Sequence, residues 1–293
     1  MKRTICLILF AAGFFTVHGQ IITDSVLVEN HYRTFHFNKP SQPTKKFNLI
    51  FALHGSGGTG THMIKPASSL EKISAKEQVF LVYPDGYKNY WNECRKAATS
   101  AANVENINEQ AFFDSMIVYF AKNYQVDSRL FFAIGLSGGG HMAYKLALTM
   151  PAKCKAISAV VANLPDSTNL DCAESRVPVA VMITNGTKDP INPYNGGQMV
   201  VNGSSFGGVL STENTFNYWA HLAGYTGRPL VEHLADTDTT NNQTITQYSY
   251  KKEGKPEVTL LQVAGGAHAF PGDVDIFLSS WAFFKRQIKA KGQ

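Results

Sequence analysis

The sequence predicts one α/β domain with a mostly parallel central sheet and helices on both of its faces. Two observations carry that prediction. Short apolar runs alternate with longer segments of helical period, and several runs are continuous in Val, Ile, Leu and Phe, as strands buried on both sides are. One run also leads through a glycine-rich turn directly into a helical pattern, Leu130–Gly140. The 293 residues hold no Pro/Ser/Gly-rich linker, so a single core is expected.

In chain order the expected strands are Arg33–Phe37, Phe47–Leu53, Val79–Tyr83, Leu130–Ile134, Ala156–Val161, Val179–Thr184, Thr244–Tyr250 and Val258–Val263. Helices are expected over part of Ile64–Ala75, then Asn108–Tyr124, Gly139–Met150, Thr212–Ala223 and Val274–Ala290. Pro151 and Gly224 close two of them. Pro190–Leu210, rich in Gly and Asn, reads as an excursion from the sheet. Asp236–Asn242 reads as a solvated loop leading into a hairpin.

Residues 1–19 have a basic start (Lys2, Arg3), an apolar stretch from Ile5 to Val17 and a small residue at Gly19. This pattern is that of a secretory leader whose removal leaves Gln20 first. The stretch is shorter than the roughly 20 residues of a membrane span, so a secreted or periplasmic domain is expected, with no membrane association after cleavage. Losing Lys2 and Arg3 leaves 25 basic residues against 22 acids, and the remaining Lys and Arg are scattered. A nucleic-acid partner would need a basic patch, which is missing.

Three cysteines remain, Cys94, Cys154 and Cys172, without the C-x-x-C spacing of a zinc site, so no metal is expected. Export permits one disulfide. Cys154 and Cys172 flank one predicted strand and are the expected pair, with three separate buried thiols as the alternative.

Gly135-Leu136-Ser137-Gly138-Gly139 spells G-x-S-x-G between a predicted strand and a predicted helix. In that setting the motif is a nucleophile elbow, which holds a serine hydroxyl above the end of a sheet. The flanking glycines keep strand and helix free to approach closely. A serine hydroxyl is nearly inert at neutral pH, so it needs a base, and the base needs an orienting acid. In the α/β-hydrolase fold built on this elbow they follow in the order Ser, Asp, His, each on a loop after a strand. Asp189 follows Val179–Thr184 and His268 follows Val258–Val263, so both are assigned as partners of Ser137. Asp189 alone would also suit an Asp-Pro turn. His54, His62, His141, His221 and His233 are rivals for the base.

The stretch LHGSGGTGT, Leu53 to Thr61, contains Gly55, Gly57 and Gly60 in the spacing of a dinucleotide-binding loop, with Asp85 downstream where a ribose-binding acid would stand. That reading fails. Pro66 interrupts the helix that should follow Gly60, Thr61 stands where a phosphate-binding loop needs Lys, and an exported protein meets little cytosolic cofactor. Attack by Ser137 on a carbonyl would instead create an oxyanion, which needs two preset N–H donors. One is assigned to Gly138 at a helix N-terminus. The other is assigned to Ser56 or Gly57 in the loop after an early strand.

Together LHGSGGTG, VYPDGY with WNEC, GLSGGGHMAYKLA, NGTKDPINPYNGG and GGAHAFPG resemble the exported polyhydroxybutyrate depolymerase and feruloyl/acetylxylan esterase group, carbohydrate esterase family 1-like, of the α/β-hydrolase fold. The likeness runs from about residue 30 to 285. It implies Ser137 as nucleophile, Asp189 as acid, His268 as base, and no metal or cofactor. Members of the group often carry His where Asn185 stands and Trp where Phe270 stands, two residues beyond the base.

The match at Trp91-Asn92 implies a wall of the ester site and Phe270 stands beside the reacting centre, so Trp91 and Phe270 are assigned to substrate binding; an interior tryptophan is the competing reading of Trp91. Tyr87, Tyr90, Tyr194 and Phe206 are further lining candidates. The expected activity is that of a serine esterase working through an acyl-enzyme, on feruloyl or acetyl esters of plant polysaccharide. The expected partner is thus an ester substrate, carbohydrate-linked or a short polyester. The alternatives are a polyester depolymerase, a short-peptide serine peptidase and a silent carbohydrate-binding homologue.

Overall fold

The computed structural model describes residues 20–39, 46–201 and 203–289. The leader expected at residues 1–19 lies outside them. The first half of the described chain runs β1 (Ile21–Val28), β2 (His31–Asn38), β3 (Phe47–Leu53), α1 (Ser68–Glu77), β4 (Val79–Pro84), α2 (Ala101–Val104), α3 (Glu109–Tyr124), β5 (Val126–Leu136) and α4 (Gly138–Thr149). The second runs β6 (Cys154–Val160), β7 (Ala180–Gly186), β8 (Gly197–Val201), β9 (Ser204–Val209), α5 (Thr212–Leu222), β10 (Leu230–His233), β11 (Thr244–Tyr250), β12 (Val258–Ala264) and α6 (Ile276–Lys289).

Ten of these strands form one sheet in the order β1-β2-β4-β3-β5-β6-β7-β12-β11-β10. The run from β4 through β12 is parallel and both margins are antiparallel. The apolar content of the central strands explains their position. Every residue of β4 and β7 is buried, and β3 and β6 each leave one position half-exposed. Helices α3, α4 and α5 cover one face through Phe112, Phe113, Phe120, Leu146 and Trp219. On the other face α1 and α6 pack Leu70, Phe277, Trp281 and Phe284 against Ile50, Phe132 and Met182.

All eight expected strands are present. Two more, β1 and β10, form the margins; β1 is half-exposed or exposed along most of its length and β10 throughout, which removes the apolar pattern that would announce them. The excursion at Pro190–Leu210 contains the hairpin β8/β9, which stands off the main sheet on its own small cluster of Ala98, Met199, Phe206 and Val209. Asp236–Asn242 is the loop of the β10/β11 hairpin.

The expected Cys154–Cys172 disulfide is not formed. Cys94 is bonded to Cys172, with Cα atoms 5.0 Å apart, and Cys154 is a buried free thiol. Cys154 begins β6, and seven residues of strand carry the chain roughly 20 Å to the opposite end of the sheet before the next loop starts. The loop that follows docks on residues 93–97: Lys96 N donates to Asn169 O (2.7 Å), and Asp171 N donates to Cys94 O (3.2 Å). Cys172 is thereby held against Cys94 rather than Cys154.

Candidate active site

The elbow is built by close packing. A Cβ at Gly135 would fall 2.0 Å from Gly139 O, and one at Gly139 would fall 2.2 Å from Leu53 O. Only glycine lets β5, β3 and α4 meet this tightly. Ser137 lies between them at φ 52°, ψ −115°, a left-handed strained conformation costing on the order of 1–3 kcal/mol. The turn is held by Ser137 N donating to Val160 O (2.8 Å) and by His141 N donating to Ser137 O (3.0 Å).

Neighbouring parallel strands supply the other two groups. Asp189 follows β7 and His268 follows β12, and their loops are bonded to each other: Thr187 N donates to Val263 O (3.0 Å), Lys188 N to Gly266 O (2.9 Å) and Gly265 N to Thr187 Oγ1 (2.9 Å). His268 Nδ1 lies 2.7 Å from Asp189 Oδ2, and His268 Nε2 lies 2.8 Å from Ser137 Oγ. The other carboxylate oxygen, Oδ1, accepts the amides of Ile191 and Asn192, each at 2.8 Å. The Asp189 side chain is fully buried while that of His268 keeps 15% exposure, so the ring is reachable from solvent and its anchor is not.

Of the two amides assigned to the loop after β3, Gly57 N is engaged by Asn89 O (2.9 Å). That corrects the Gly57 half of the assignment. Ser56 N lies against the helix start: a Cβ on Gly138 would stand 2.9 Å from it. Among the described residues neither the Ser56 nor the Gly138 amide has an acceptor. Two free donors thus sit side by side next to the serine, the geometry an oxyanion requires.

The assignment of Trp91 to a substrate wall needs correction. Trp91 is buried at 2% exposure, donates Nε1–H to His54 O (2.9 Å) and packs on His54 and Phe113. It is the interior tryptophan, placed beneath the glycine loop because that loop's backbone needs a donor there. Phe270, two residues beyond His268, is half-exposed, packs on Phe277 and lines a small cavity with Thr184, Val263 and Pro271. Phe206 is buried under the Arg95 guanidinium, Tyr87 donates its hydroxyl to Glu105, and Tyr194 Oη accepts from Gln262. Tyr90, by contrast, brings its hydroxyl beside Gly57. Asn185 is buried and bonded to Ala162, Asn163 and Thr212, a structural hub.

Other residues around the site escaped the motif analysis. Arg95 and Glu93 form a buried ion pair (2.8 Å), and Arg95 Nη1 reaches Met199 Sδ in β8 (2.8 Å), tying the hairpin to the segment after Trp91. Nothing in the local pattern distinguishes these charges from surface ones. Among the rival histidines, His62, His221 and His233 are exposed, and His54 and His141 are buried; His268 is the one bonded to Ser137.

Burial pushes the His54 ring below the ordinary histidine value of 6.5, opposed by its bond to Gly55; burial, and then the charge of Arg95, pushes His141 well below it. Neither nitrogen of His141 makes a hydrogen bond of ordinary geometry among the described residues, and the nearby Asn163 backbone only partly offsets the burial. In the unfolded chain both rings take a proton near 6.5; in the fold each takes it only at lower pH, His141 most markedly. Above 6.5 they leave stability unchanged, and below it the fold loses up to about 1.4 kcal/mol per pH unit for each ring until that ring's lowered folded value is passed. The variant His141→Met, which also removes two unpaired buried nitrogens, is expected to flatten this acid limb in thermal unfolding followed from about pH 8 to about pH 5. An unchanged slope would contradict the burial argument.

The sheet order, the strained elbow serine and the sequence Ser, Asp, His on successive loops define the α/β-hydrolase fold. Within that class the resemblance to the feruloyl and acetylxylan esterase group holds in comparison with known proteins. Feruloyl esterase C of Emericella nidulans is 30% identical over 165 residues, 55% of this chain and 55% of its own. Feruloyl esterase D of Neurospora crassa is 25% identical over 184 residues, 59% of this chain and 58% of its own. The chain thus spans little more than half the length of these curated relatives.

Acetyl xylan esterase from Aspergillus awamori superposes with a TM-score of 0.58 at 17% identity, covering 90% of this chain and 100% of its own. S-formylglutathione hydrolase from Staphylococcus aureus superposes with 0.53 at 10% identity, covering 93% and 99%. At these identities the likeness is one of fold. No family model matches the chain.

Proposed function

We propose that the chain is a serine carboxylic-ester hydrolase acting on feruloyl or acetyl esters of plant polysaccharide. The observation that carries this reading is the continuous chain Asp189–His268–Ser137 ending beside the paired amides of Ser56 and Gly138. In the proposed reaction Ser137 Oγ bonds to the ester carbonyl carbon as its proton passes to His268 Nε2. The carbonyl oxygen gains the displaced electron pair and is held by the two N–H groups. Collapse of this intermediate breaks the bond to the alcohol, which leaves with the proton from His268. Water, deprotonated by the same ring, then hydrolyses the acyl-serine and releases the acid.

The substrate class rests on the relatives, named feruloyl esterases, and on the partly exposed Tyr90 and Ile191, which pack on the β8/β9 cluster beside Gly57 and Asp189 and offer an apolar face to an acyl group. Residues 1–19 are proposed as a leader for export, consistent with the Cys94–Cys172 bond, since disulfides persist in oxidising compartments. A panel of methyl ferulate, acetylated xylan and short hydroxybutyrate oligomers, ranked by kcat/KM, tests the reading. Methyl ferulate or acetylated xylan should lead. A clear lead by the hydroxybutyrate oligomers would move the chain to polyesters, and no turnover of any ester would end the reading.

A further inference from the structure

With the dinucleotide reading gone, Asp85 and His54 have no role in the reaction, yet the structure joins both to the glycine loop. The His54 ring uses both nitrogens: Nδ1–H donates to Gly55 O (2.8 Å), and Nε2 accepts the amide of Gly86 (2.8 Å). Because a backbone amide can only donate, Nε2 must be bare, which fixes the tautomer. Asp85 Oδ1 accepts the amide of Gly60 (2.6 Å), and Oδ2 stands 3.2 Å from His36 Nε2, whose Nδ1 meets Thr23 Oγ1 at 2.8 Å. Between these two anchors Asn89 O accepts the Gly57 amide (2.9 Å), and Trp91 Nε1 donates to His54 O (2.9 Å).

One short segment, Asp85–Trp91, therefore grips the loop at His54, Gly57 and Gly60, and the His54 ring passes that grip to Gly55. The Ser56 amide, which lies beside Gly138, has no acceptor among the described residues and sits in the middle of that grip. The segment is itself tightly turned: Lys88 and Asn89 have φ of 49° and 71°, closed by Asn89 N to Gly86 O (3.1 Å) and Tyr90 N to Tyr87 O (3.1 Å). A Cβ at Gly86 would fall 2.5 Å from Tyr90 O, so turn and ring are packed as one piece. Non-glycine residues hold such backbone only where their surroundings over-determine it.

We propose that Asp85–Trp91 is a template that presets the Ser56 amide beside Gly138, and that His54 is its positioning residue, working only as the Nδ1–H tautomer. The inference rests on the serine-hydrolase reading, because a preset donor matters through the charge that develops in the transition state rather than through substrate binding. His54 touches neither the substrate nor the reacting atoms. Its contribution is that the Ser56 amide needs no reorganisation when the oxyanion forms.

The test compares His54→Leu, which loses both bonds, with His54→Gln, whose amide oxygen can take the place of Nε2 as acceptor for Gly86. In His54→Leu, kcat on p-nitrophenyl acetate is expected to fall about 10²-fold with KM little changed, the signature of a lost transition-state donor. His54→Gln should recover most of that loss. If His54→Leu does not fold, His54→Asn, too short to reach Gly86, takes its place. Amide hydrogen exchange at Gly57 and Gly86 should quicken in the deficient variant and return toward wild type in His54→Gln.

A folded deficient variant with wild-type kcat, a loss carried by KM alone, no recovery in His54→Gln, or unchanged exchange at both glycines would each overturn the template. Wild-type protein inactive on every ester would sink the hydrolase reading instead, and the exchange data would still decide whether the template holds the loop.

Discussion

Ser137→Ala is expected to lower kcat/KM on p-nitrophenyl acetate by about 10⁴- to 10⁶-fold while the protein stays folded. The substitution keeps the Cβ and removes only Oγ, whose hydrogen-bond partner is His268 Nε2 at 2.8 Å. The elbow is held by backbone bonds and by glycine packing, neither of which involves the hydroxyl. The residual rate should come from Ser56 and Gly138, which still offer two donors to a hydroxide attacking from water. Circular dichroism with a thermal melt separates loss of chemistry from loss of fold. Turnover near wild type in a folded Ser137→Ala protein would remove Ser137 from the reaction.

Asp189→Asn is expected to cost about 10⁴-fold in kcat with little change in shape. The reason is specific to the bonds around this carboxylate. Oδ1 accepts two backbone amides, from Ile191 and Asn192, so an asparagine here must place its carbonyl oxygen at that position. Its NH2 group then takes the place of Oδ2 and points at His268 Nδ1. A donor facing Nδ1 requires that nitrogen to be bare, which moves the ring proton to Nε2. Nε2–H can donate to Ser137 Oγ but cannot take its proton, and the base is lost without the ring moving. A folded Asp189→Asn enzyme with wild-type kcat would show that the orientation of His268 is set by something else.

The parts of this fold that were legible in the sequence share one property: their signal is local. Continuous apolar runs such as Val79–Tyr83 and Ala156–Val161 mark strands because a strand buried on both faces needs apolar residues at every position. The elbow is readable because glycine must stand at fixed offsets from the serine where strand and helix nearly touch. Asp189 and His268 are readable because each follows a strand in an order the fold imposes. The margin strands were silent for the converse reason: β1 and β10 bury little, so their residues carry no pattern. Ser56 and Gly57 could not be separated either, because an N–H looks the same in any sequence and only the position of Asn89 O decides which one is free.

Trp91 and Cys172 show the same limit from another side. An aromatic residue beside a motif suits a binding wall and a loop support equally well, and what decides is that the His54 carbonyl lies within reach of the indole N–H. Cysteine pairing depends on where a loop lands after crossing the sheet, so closeness in sequence to Cys154 carried no weight against closeness in space to Cys94.

The sequence by itself determined the fold class, the elbow and the three side chains now proposed to act together, since each is dictated by sterics or burial within a few residues of chain. Only the tertiary structure decided which of the two loop amides is engaged, which cysteines join, that Trp91 is a prop beneath the loop, and that Asp85 holds the glycine loop. These outcomes depend on where separate segments meet in space, and a hydrogen bond or a disulfide forms only across distances of a few ångström that no spacing along the chain encodes.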